Sequence, residues 1–487
     1  MFALSTAVVF FTVPSGAQQT LPYNTHAVSR KHVPHLKSPT GGGGAGGASN
    51  GGPGGGTVAF TGPQYSSIGA TITATTSLPE AEEHIAVDPS LGGRLVAAIS
   101  DFSLRGGSNT TKFAASTDNG TSWTESFVPL GDGNQPATGD GRVWPYNSDP
   151  VVAIDLAGNV YLANLYFHSE TGNNSNGLYV SAGTDALPDL GITAATTFPV
   201  SVQSDPATNV TEDKEWIAVD NSASAFTGRV YVSWTHFIGN SDMILLSSSG
   251  DHATTWSLPV QISPSSQNGA VQGSTVAVGP NGEVYVAYEV FFVGGKRQQF
   301  LAKSIDGGIS FSAPVAVTPL FNQLSFNSTY RKNTFASMAV APTNGSVYLV
   351  YAAQTSKSSS VQFIRSAAGG GSFSAPLALN NSSAGQRLMP SLASDGAGSI
   401  HASWFDTRLA PRNSTAQYDI FATRSVNDGS AFSPNARVTS ATIDAGSASF
   451  IGDYGGIAAS SVTGSAHPVW TSGGFNNGQL QTAALGY

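Results

Sequence analysis

The chain has 487 residues, only 10% of them charged, with a formal net charge of −9. The absence of cysteine excludes a disulfide scaffold, a thiolate metal site and a cysteine nucleophile. Lys and Arg (21) are outnumbered by Asp and Glu (30), which argues against a basic surface for nucleic acid. The 56 glycines, 26 prolines and scarcity of long charged side chains favour strands and turns over long helices.

The start of the chain has the pattern of an export signal. Residues 1–13 are mostly apolar, and Ser15 and Ala17 supply the small residues of a cleavage site before Gln18. The apolar run is too short to span a membrane, and no later segment is long enough. We predict a signal peptide at 1–17 and a protein that is secreted or lies on the cell-envelope surface.

Residues 18–56 are predicted to form a disordered linker. The first part is polar, and 41–56 is mostly glycine, so the segment has almost nothing to bury in a core. The folded part is therefore expected at 57–487, as a single domain.

A strand-forming unit recurs along this part. It is a glycine followed by an alternating apolar strand, as in Gly228-Arg-Val-Tyr-Val-Ser-Trp, and a strand of small residues with a tight turn precedes it. The unit occurs seven times, beginning at Gly93, Gly158, Gly228, Gly282, Gly345, Gly398 and Gly464. Regular repetition of short strands is typical of a β-propeller.

A second element follows these hairpins. Residues 116–123 read S-x-D-x-G-x-x-W, and related sequences begin at Ser249, Ser304, Ser366 and Ser425. The Ser and Asp side chains are expected to hydrogen-bond backbone amides of their own turn, and the glycine allows positive φ. We interpret the element as a folding device and not as a catalytic group.

These repeats predict an all-β fold, a β-propeller of seven four-stranded blades, with a six-bladed ring as the alternative. The last repeat is too short for a full blade. An N-terminal strand from 57–60 or 70–75 is expected to complete it, which would close the ring and remove free sheet edges.

The turn element is identified as the Asp-box, or bacterial neuraminidase repeat. With the hairpins, residues 80–487 resemble the sialidase superfamily of β-propellers, in particular its exported bacterial exo-α-sialidase-like group. Segments 404–408 (W-F-D-T-R) and 450–457 also resemble sequences of that group. The resemblance implies a propeller that acts on glycans.

The chain also departs from authentic sialidases, which are six-bladed. They carry an Arg-Ile-Pro near the start of the first blade, and that Arg binds the sialic acid carboxylate. Here the matching place reads Glu83-His84-Ile85. The nearest counterpart of the sialidase tyrosine nucleophile is Tyr454, beside Asp453.

In this topology, loops before each first strand and after each second strand surround an axial funnel. Charged and aromatic residues cluster at those points, and loops on a rigid scaffold commonly carry function. The predicted catalytic residues are Glu215, Asp453, Tyr454 and Asp149. The predicted substrate-binding residues are His84, Asp101, Trp216, His236, Arg331, Arg387, Asp406 and Arg408.

Each role has a chemical reason. Glycoside hydrolysis typically needs two carboxyl groups, and Glu215 and Asp453 each adjoin an aromatic residue, where burial would raise the pKa. The candidate arginines suit a carboxylate or sulfate, and Trp216 suits the face of a sugar. The histidines suit the base of a lyase.

We therefore predict an exported, sialidase-like propeller that acts on glycans as a glycoside hydrolase from the axial funnel. The alternatives are a non-catalytic propeller that binds a glycan or protein at the cell surface, and a polysaccharide lyase for an acidic glycan. We expect a monomer that needs no cofactor or metal, with a glycan or glycoconjugate as partner and without nucleic acid or a transmembrane segment.

Overall fold

The computed structural model describes residues 60–487, apart from 77–78, 106–107, 131–134, 169, 171, 357, 368, 412–413, 447–449 and 475–476. It also describes two paired three-residue strands, Val9–Phe11 and Leu21–Tyr23. Otherwise the predicted signal peptide (1–17) and linker (18–56), with the domain start at Thr57, lie outside the described residues. The described helices are three 3-10 turns, Ala194–Thr196, Ser265–Gln267 and Val293–Gly295. Within this part of the chain, no helix has the length and apolar character needed to cross a membrane.

The described residues form seven antiparallel blades of four strands. The first is Glu80–Val87, Leu95–Arg105, Ser108–Ser116 and Thr124–Phe127, and the second is Tyr146–Ile154, Val160–Phe167, Asn176–Gly183 and Thr197–Gln203. The third is Val210–Val219, Val230–Ile238, Met243–Ser249 and Val260–Gln261, and the fourth is Val271–Val278, Val284–Phe292, Lys296–Ser304 and Val315–Ala316. The fifth is Ser337–Val340, Val347–Gln354, Ser359–Arg365 and Leu377–Ala378, and the sixth is Arg387–Ser394, Ile400–Asp406, Gln417–Ser425 and Ala436–Arg437. Two short strands, Phe321–Asn322 and Ile443–Asp444, pair at the margins of blades 4, 5 and 6.

The seventh blade is built from both ends of the described chain. Its first two strands are Gly456–Ser460 and Ser465–Thr471, and its third consists of Leu480–Thr482 and Leu485–Gly486. The N-terminal strands Ser67–Ile68 and Ile72–Thr73 pair with that third strand and complete the blade. The predicted seven-bladed ring is thus confirmed. One closing strand, Ile72–Thr73, lies within the predicted segment 70–75, and the other, Ser67–Ile68, lies just before it.

The innermost strands contact one another in chain order, and the innermost strand of blade 7 contacts that of blade 1. Aromatic side chains from the second strands fill the spaces between blades. Tyr231, Tyr285 and Tyr348 are buried in this way, as predicted for core residues. The Tyr348 hydroxyl also donates a hydrogen bond to Asp428 in the turn of the next blade. Such contacts join each blade to its neighbour.

The repeated turns join the third and fourth strands and have the predicted hydrogen bonds. Ser116 Oγ accepts from Gly120 N at 2.9 Å, and Asp118 Oδ1 accepts from Ser122 N at 2.9 Å. Trp123 Nε1 donates to the Gly120 carbonyl at 3.0 Å. Because they join the third strand of a blade to the fourth, these turns lie on the face opposite to the loops of the funnel. We call these two faces the turn face and the loop face.

We expect that removal of the closing strand destabilises the whole ring. A chain that starts at Thr76 lacks Ser67–Ile68 and Ile72–Thr73, so backbone groups of Leu480–Thr482 lose their partners at an exposed sheet edge. Compared with a chain that starts at Phe60, it should show a lower Tm and concentration-dependent association. Thermal unfolding and light scattering measure these properties, and equal values for both chains would contradict the closure described above.

Candidate functional site

Five innermost strands carry a β-bulge near the loop face. At each bulge one residue has positive φ: Glu82, Asp149, Lys214, Gly273 and Met389. Four of these are not glycine, although positive φ costs a side chain of ordinary size about 1 kcal/mol or more. Backbone strain is therefore present at the axis of the ring, as it is in turns such as those at Asn119 and Asp428.

The bulges bring together a group of acidic side chains, which we call the axial cluster: Glu82, Asp149, Asp213, Glu215 and Asp453. Asp149 is the charged neighbour that acts most strongly on the pKa of Glu82, Asp213 and Glu215. Asp453 of blade 7 interacts with Glu82 and Asp213. Neither carboxyl oxygen of Glu215 has a hydrogen-bond partner in another residue.

Burial gives several of these carboxyl groups unusual pKa values. The pKa of Glu82, Asp213 and Glu215 is raised well above the ordinary range, mainly because burial disfavours the charged form and secondly because of Asp149. The environment of the axial cluster thus favours the neutral form of these three carboxyl groups. Within the described residues, no group of three or more His, Asp or Glu side chains has an arrangement suited to a metal ion.

Two cations face the axial cluster. Arg331 Nη1 lies 2.9 Å from Asp453 Oδ2. Lys214 Nζ lies 3.8 Å from the centre of the Tyr454 ring and 4.6 Å from that of Trp216. Burial lowers the pKa of Lys214, and the carboxylates of Asp149, Asp453, Glu215 and Glu82 oppose that shift.

Three aromatic rings complete the site. The edges and faces of Trp216, Tyr454 and His84 form T-shaped contacts, with ring centres 5.8 Å apart for Trp216–Tyr454 and 4.9 Å apart for His84–Trp216. The Tyr454 hydroxyl donates to the Pro150 carbonyl at 3.3 Å. Burial, and then Lys214, lowers the pKa of His84 to about 3, so its imidazole is neutral and accepts from Val152 N.

Beside the cluster is a small pocket, about 20 Å³ in volume, that opens to solvent, which we call the axial pocket. It is lined by Lys214, Trp216, Gly273, Ser274, Asn333, Phe335, Ala336, Ser337, Met389, Pro390, Asp453, Tyr454 and Gly455. These residues belong to blades 3 to 7, so the pocket lies where the innermost strands converge. The buried Ser274 hydroxyl has no hydrogen-bond partner there.

The structure thus brings together seven of the predicted site residues at the axis: Glu215, Asp453, Tyr454, Asp149, His84, Trp216 and Arg331. It places the other five in ion networks within single blades. Asp101 Oδ2 lies 3.4 Å from the buried ammonium of Lys112. His236 Nδ1 lies 2.9 Å from Glu212 Oε2. These two residues therefore have partners of their own away from the pocket lining.

The remaining three residues form one network in blade 6. Asp406 Oδ2 is 3.1 Å from Arg387 Nε, 2.7 Å from Arg408 Nη2 and 2.8 Å from the indole nitrogen of Trp404. Arg387 is fully buried and also donates to the carbonyls of Gly385 and Ala384. A substrate anion would have to displace Asp406 and open this network before Arg387 could bind it.

Sequence reasoning did not select three members of the site, Glu82, Asp213 and Lys214. They stand in two runs, Glu80 to His84 and Glu212 to Trp216, that are densely charged in a chain with few charges. This local density of charge is the sequence feature that could have identified the three residues. Which members of each run face the axis depends on the bulges, because a bulge changes the side of the strand on which the following side chains lie.

The chain matches no protein-family model and no curated protein sequence. Among solved structures, a protein of unknown function from Dyadobacter fermentans is similar at 13% identity, over 86% of this chain and 97% of that chain, with a TM-score of 0.47. An ulvan lyase from a new polysaccharide lyase family is similar at 12% identity, over 83% and 94%, with a TM-score of 0.45. The NanB sialidase of Streptococcus pneumoniae is similar at 11% identity, over 87% and 71%, with a TM-score of 0.41. These similarities are too low to support any argument about the reaction.

The variant Arg387→Met is expected to lower the free energy of unfolding by roughly 3 kcal/mol, because it breaks a buried ion pair with Asp406. Glycan binding by the protein that remains folded should be unchanged. Urea unfolding and a binding titration test the two statements. Unchanged stability with lost binding would instead place Arg387 in the binding site.

The pH dependence of stability tests whether the buried Glu83 has a raised pKa in the folded protein. Its Oε2 accepts from Thr471 Oγ1 at 2.6 Å, its Oε1 has no partner, and burial raises its pKa from 4.5 to about 8. Between these two values the folded state keeps a proton that the unfolded state releases, so stability falls as pH rises, by up to about 1.4 kcal/mol per pH unit. In the variant Glu83→Gln, this pH-dependent contribution to stability should be absent.

The difference in unfolding free energy between the wild type and Glu83→Gln should therefore change across this interval. Urea unfolding at pH 5 and pH 8 measures this difference. The stability of the variant relative to the wild type should be greater at pH 8 than at pH 5. A constant difference at both values would show that Glu83 keeps an ordinary pKa in the folded protein.

Proposed function

We propose that the chain is a glycoside hydrolase that acts on glycans in the axial pocket. The observation that supports this most directly is the axial cluster, where buried carboxyl groups with raised pKa values interact with Asp149 and Asp453. Hydrolysis of a glycoside needs a carboxyl group that gives a proton to the leaving oxygen and a carboxylate that acts on the opposite side of the sugar. Different environments for neighbouring carboxyl groups supply both forms at one pH.

Glu215 is our candidate for the proton donor. Its carboxyl group is buried, has a raised pKa and has no partner in another residue, so its protonated form would offer an O–H that lacks an acceptor. It stands between Lys214 and Trp216, which both line the pocket. A glycosidic oxygen that reaches Glu215 would be that acceptor.

Asp453 is our candidate for the second carboxyl group. It lines the pocket, remains partly exposed and is held by Arg331. From there it can accept a proton from an attacking water or stabilise positive charge on the sugar ring. Asp149 interacts electrostatically with both Glu82 and Glu215 and is suited to return protons to the donor.

We assign Tyr454 to the wall of the pocket and not to nucleophilic attack. Burial, followed by the charges of Glu82 and Asp149, raises its pKa well above 10, so the phenol stays neutral. Its ring, with that of Trp216, provides the aromatic surface that commonly binds sugars. The apolar segment 1–17 supports the further proposal that the protein is exported.

The test is a screen of the full chain against a library of glycosides and polysaccharides, with Glu215→Gln as the diagnostic variant. The amide keeps the size of the side chain but cannot donate a proton as an acid, so kcat should fall at least 100-fold. The matched control is Glu283→Gln, a half-buried residue of a turn-face hairpin, which should keep full activity.

Glycan binding without any turnover would instead support a non-catalytic binding propeller. Turnover that Glu215→Gln does not reduce would remove Glu215 from the reaction and leave the assignment of the site to Asp453 and Asp149.

A further inference from the structure

The charges around the axial pocket restrict the substrate. The pocket lining includes one cation, Lys214, and one anion, Asp453, and its other side chains with polar atoms are neutral: Ser274, Asn333, Ser337, Trp216 and Tyr454. Behind the lining stand the other acidic side chains of the axial cluster. An acidic sugar in this pocket would therefore need a cation that is available to hold its carboxylate or sulfate.

Arg331 does not meet that need, because it already holds Asp453 at 2.9 Å. Its guanidinium group also lies 4.3 Å from the centre of the Phe450 ring. A guanidinium group recognises a carboxylate best through two parallel hydrogen bonds, and a substrate carboxylate would have to compete with Asp453 for them.

Lys214 is equally engaged. Its ammonium lies over the rings of Tyr454 and Trp216, within reach of the charges of Asp149 and Asp453. Aromatic faces and carboxylates are the groups that stabilise a buried ammonium, so this charge is already balanced within the protein.

The remaining candidate cations are directed elsewhere. Arg387 and Arg408 are held by Asp406 in blade 6. Lys332, next to Arg331 in sequence, donates to Ser328 Oγ and lies over the Phe326 ring. By contrast, the unpartnered hydroxyl of Ser274 faces the pocket and suits the hydroxyl group of a sugar.

We infer that the sugar bound in the axial pocket carries no acidic group. The substrate class is a neutral glycan, built of unsubstituted hexose or pentose units at the reacting position, and sialosides, uronates and sulfated sugars are excluded by charge. This inference rests on the proposed function for its reaction, but the charge preference of the pocket can be tested by binding alone.

The first experiment compares pairs of aryl glycosides that differ only at C6, a glucoside with a glucuronide and a galactoside with a galacturonide. With the full chain, kcat/KM should be at least tenfold higher for the neutral member of a pair that is turned over. Preference for the acidic member would overturn the inference while leaving the proposed hydrolase intact.

The second experiment is independent of turnover and uses methyl glucoside and methyl glucuronide as probes in binding titrations. The wild type should bind the neutral probe more tightly. The variant Asp453→Asn releases Arg331 from its carboxylate, so it should bind methyl glucuronide about tenfold more tightly than the wild type does. The control Asp185→Asn makes the same charge change at an exposed residue near the turn face and should have no effect.

The outcomes separate the two proposals. Absence of turnover with the expected binding preference removes the hydrolase but keeps the inference about charge. Tighter binding of the glucuronide by the wild type, binding of neither probe, or no gain for Asp453→Asn would overturn the inference.

Discussion

The pairing of the N-terminal strand with the last blade is the contact on which the rest of the structure depends. Ile72–Thr73 lies against Gln481–Thr482, and this pairing holds blade 7 beside blade 1. Without it the third strand of blade 7 would be an exposed sheet edge, which is prone to pair with other chains. The closure also creates the site, because it joins Glu82 near the start of the folded chain to Asp453 near its end.

The backbones of blades 7 and 1 approach each other closely. Gly452 has a φ of 88°, and a Cβ atom there would lie 2.9 Å from the Glu82 amide nitrogen. A residue with a side chain would therefore push blade 7 away from blade 1. Tyr454 then extends across the axis and donates to the Pro150 carbonyl of blade 2. The axial cluster is thus assembled by contacts among residues that are hundreds of positions apart in the chain.

The charged residues of the loop face divide into two groups with different physical roles. One group forms compact ion networks inside blades, such as Asp406 with its two arginines or Lys112 with Glu80 and Asp101, in which each charge is balanced by its neighbours. The other group lies at the axis, where carboxyl groups outnumber cations and burial raises the pKa of several of them. An excess of buried like charge is costly to a fold, and perturbed carboxyl groups of this kind are typical of functional sites.

Much of the architecture could be predicted from short sequence patterns. The seven glycine-led strands, the S-x-D-x-G turns and the short last repeat were sufficient to predict seven blades closed by an N-terminal strand, because turns and strand alternation depend on neighbours in sequence. The clustering of charge before the first strands likewise led to the loop face, where we propose the site. The sequence could not divide those charges between structural networks and the axis. Arg387 and Arg331 occupy similar positions before a first strand, yet one is buried against Asp406 and the other meets Asp453 across the ring. Lys214 became a site residue only through its bulge. Such choices depend on strand register and on partners from distant blades, and these are set when the ring closes.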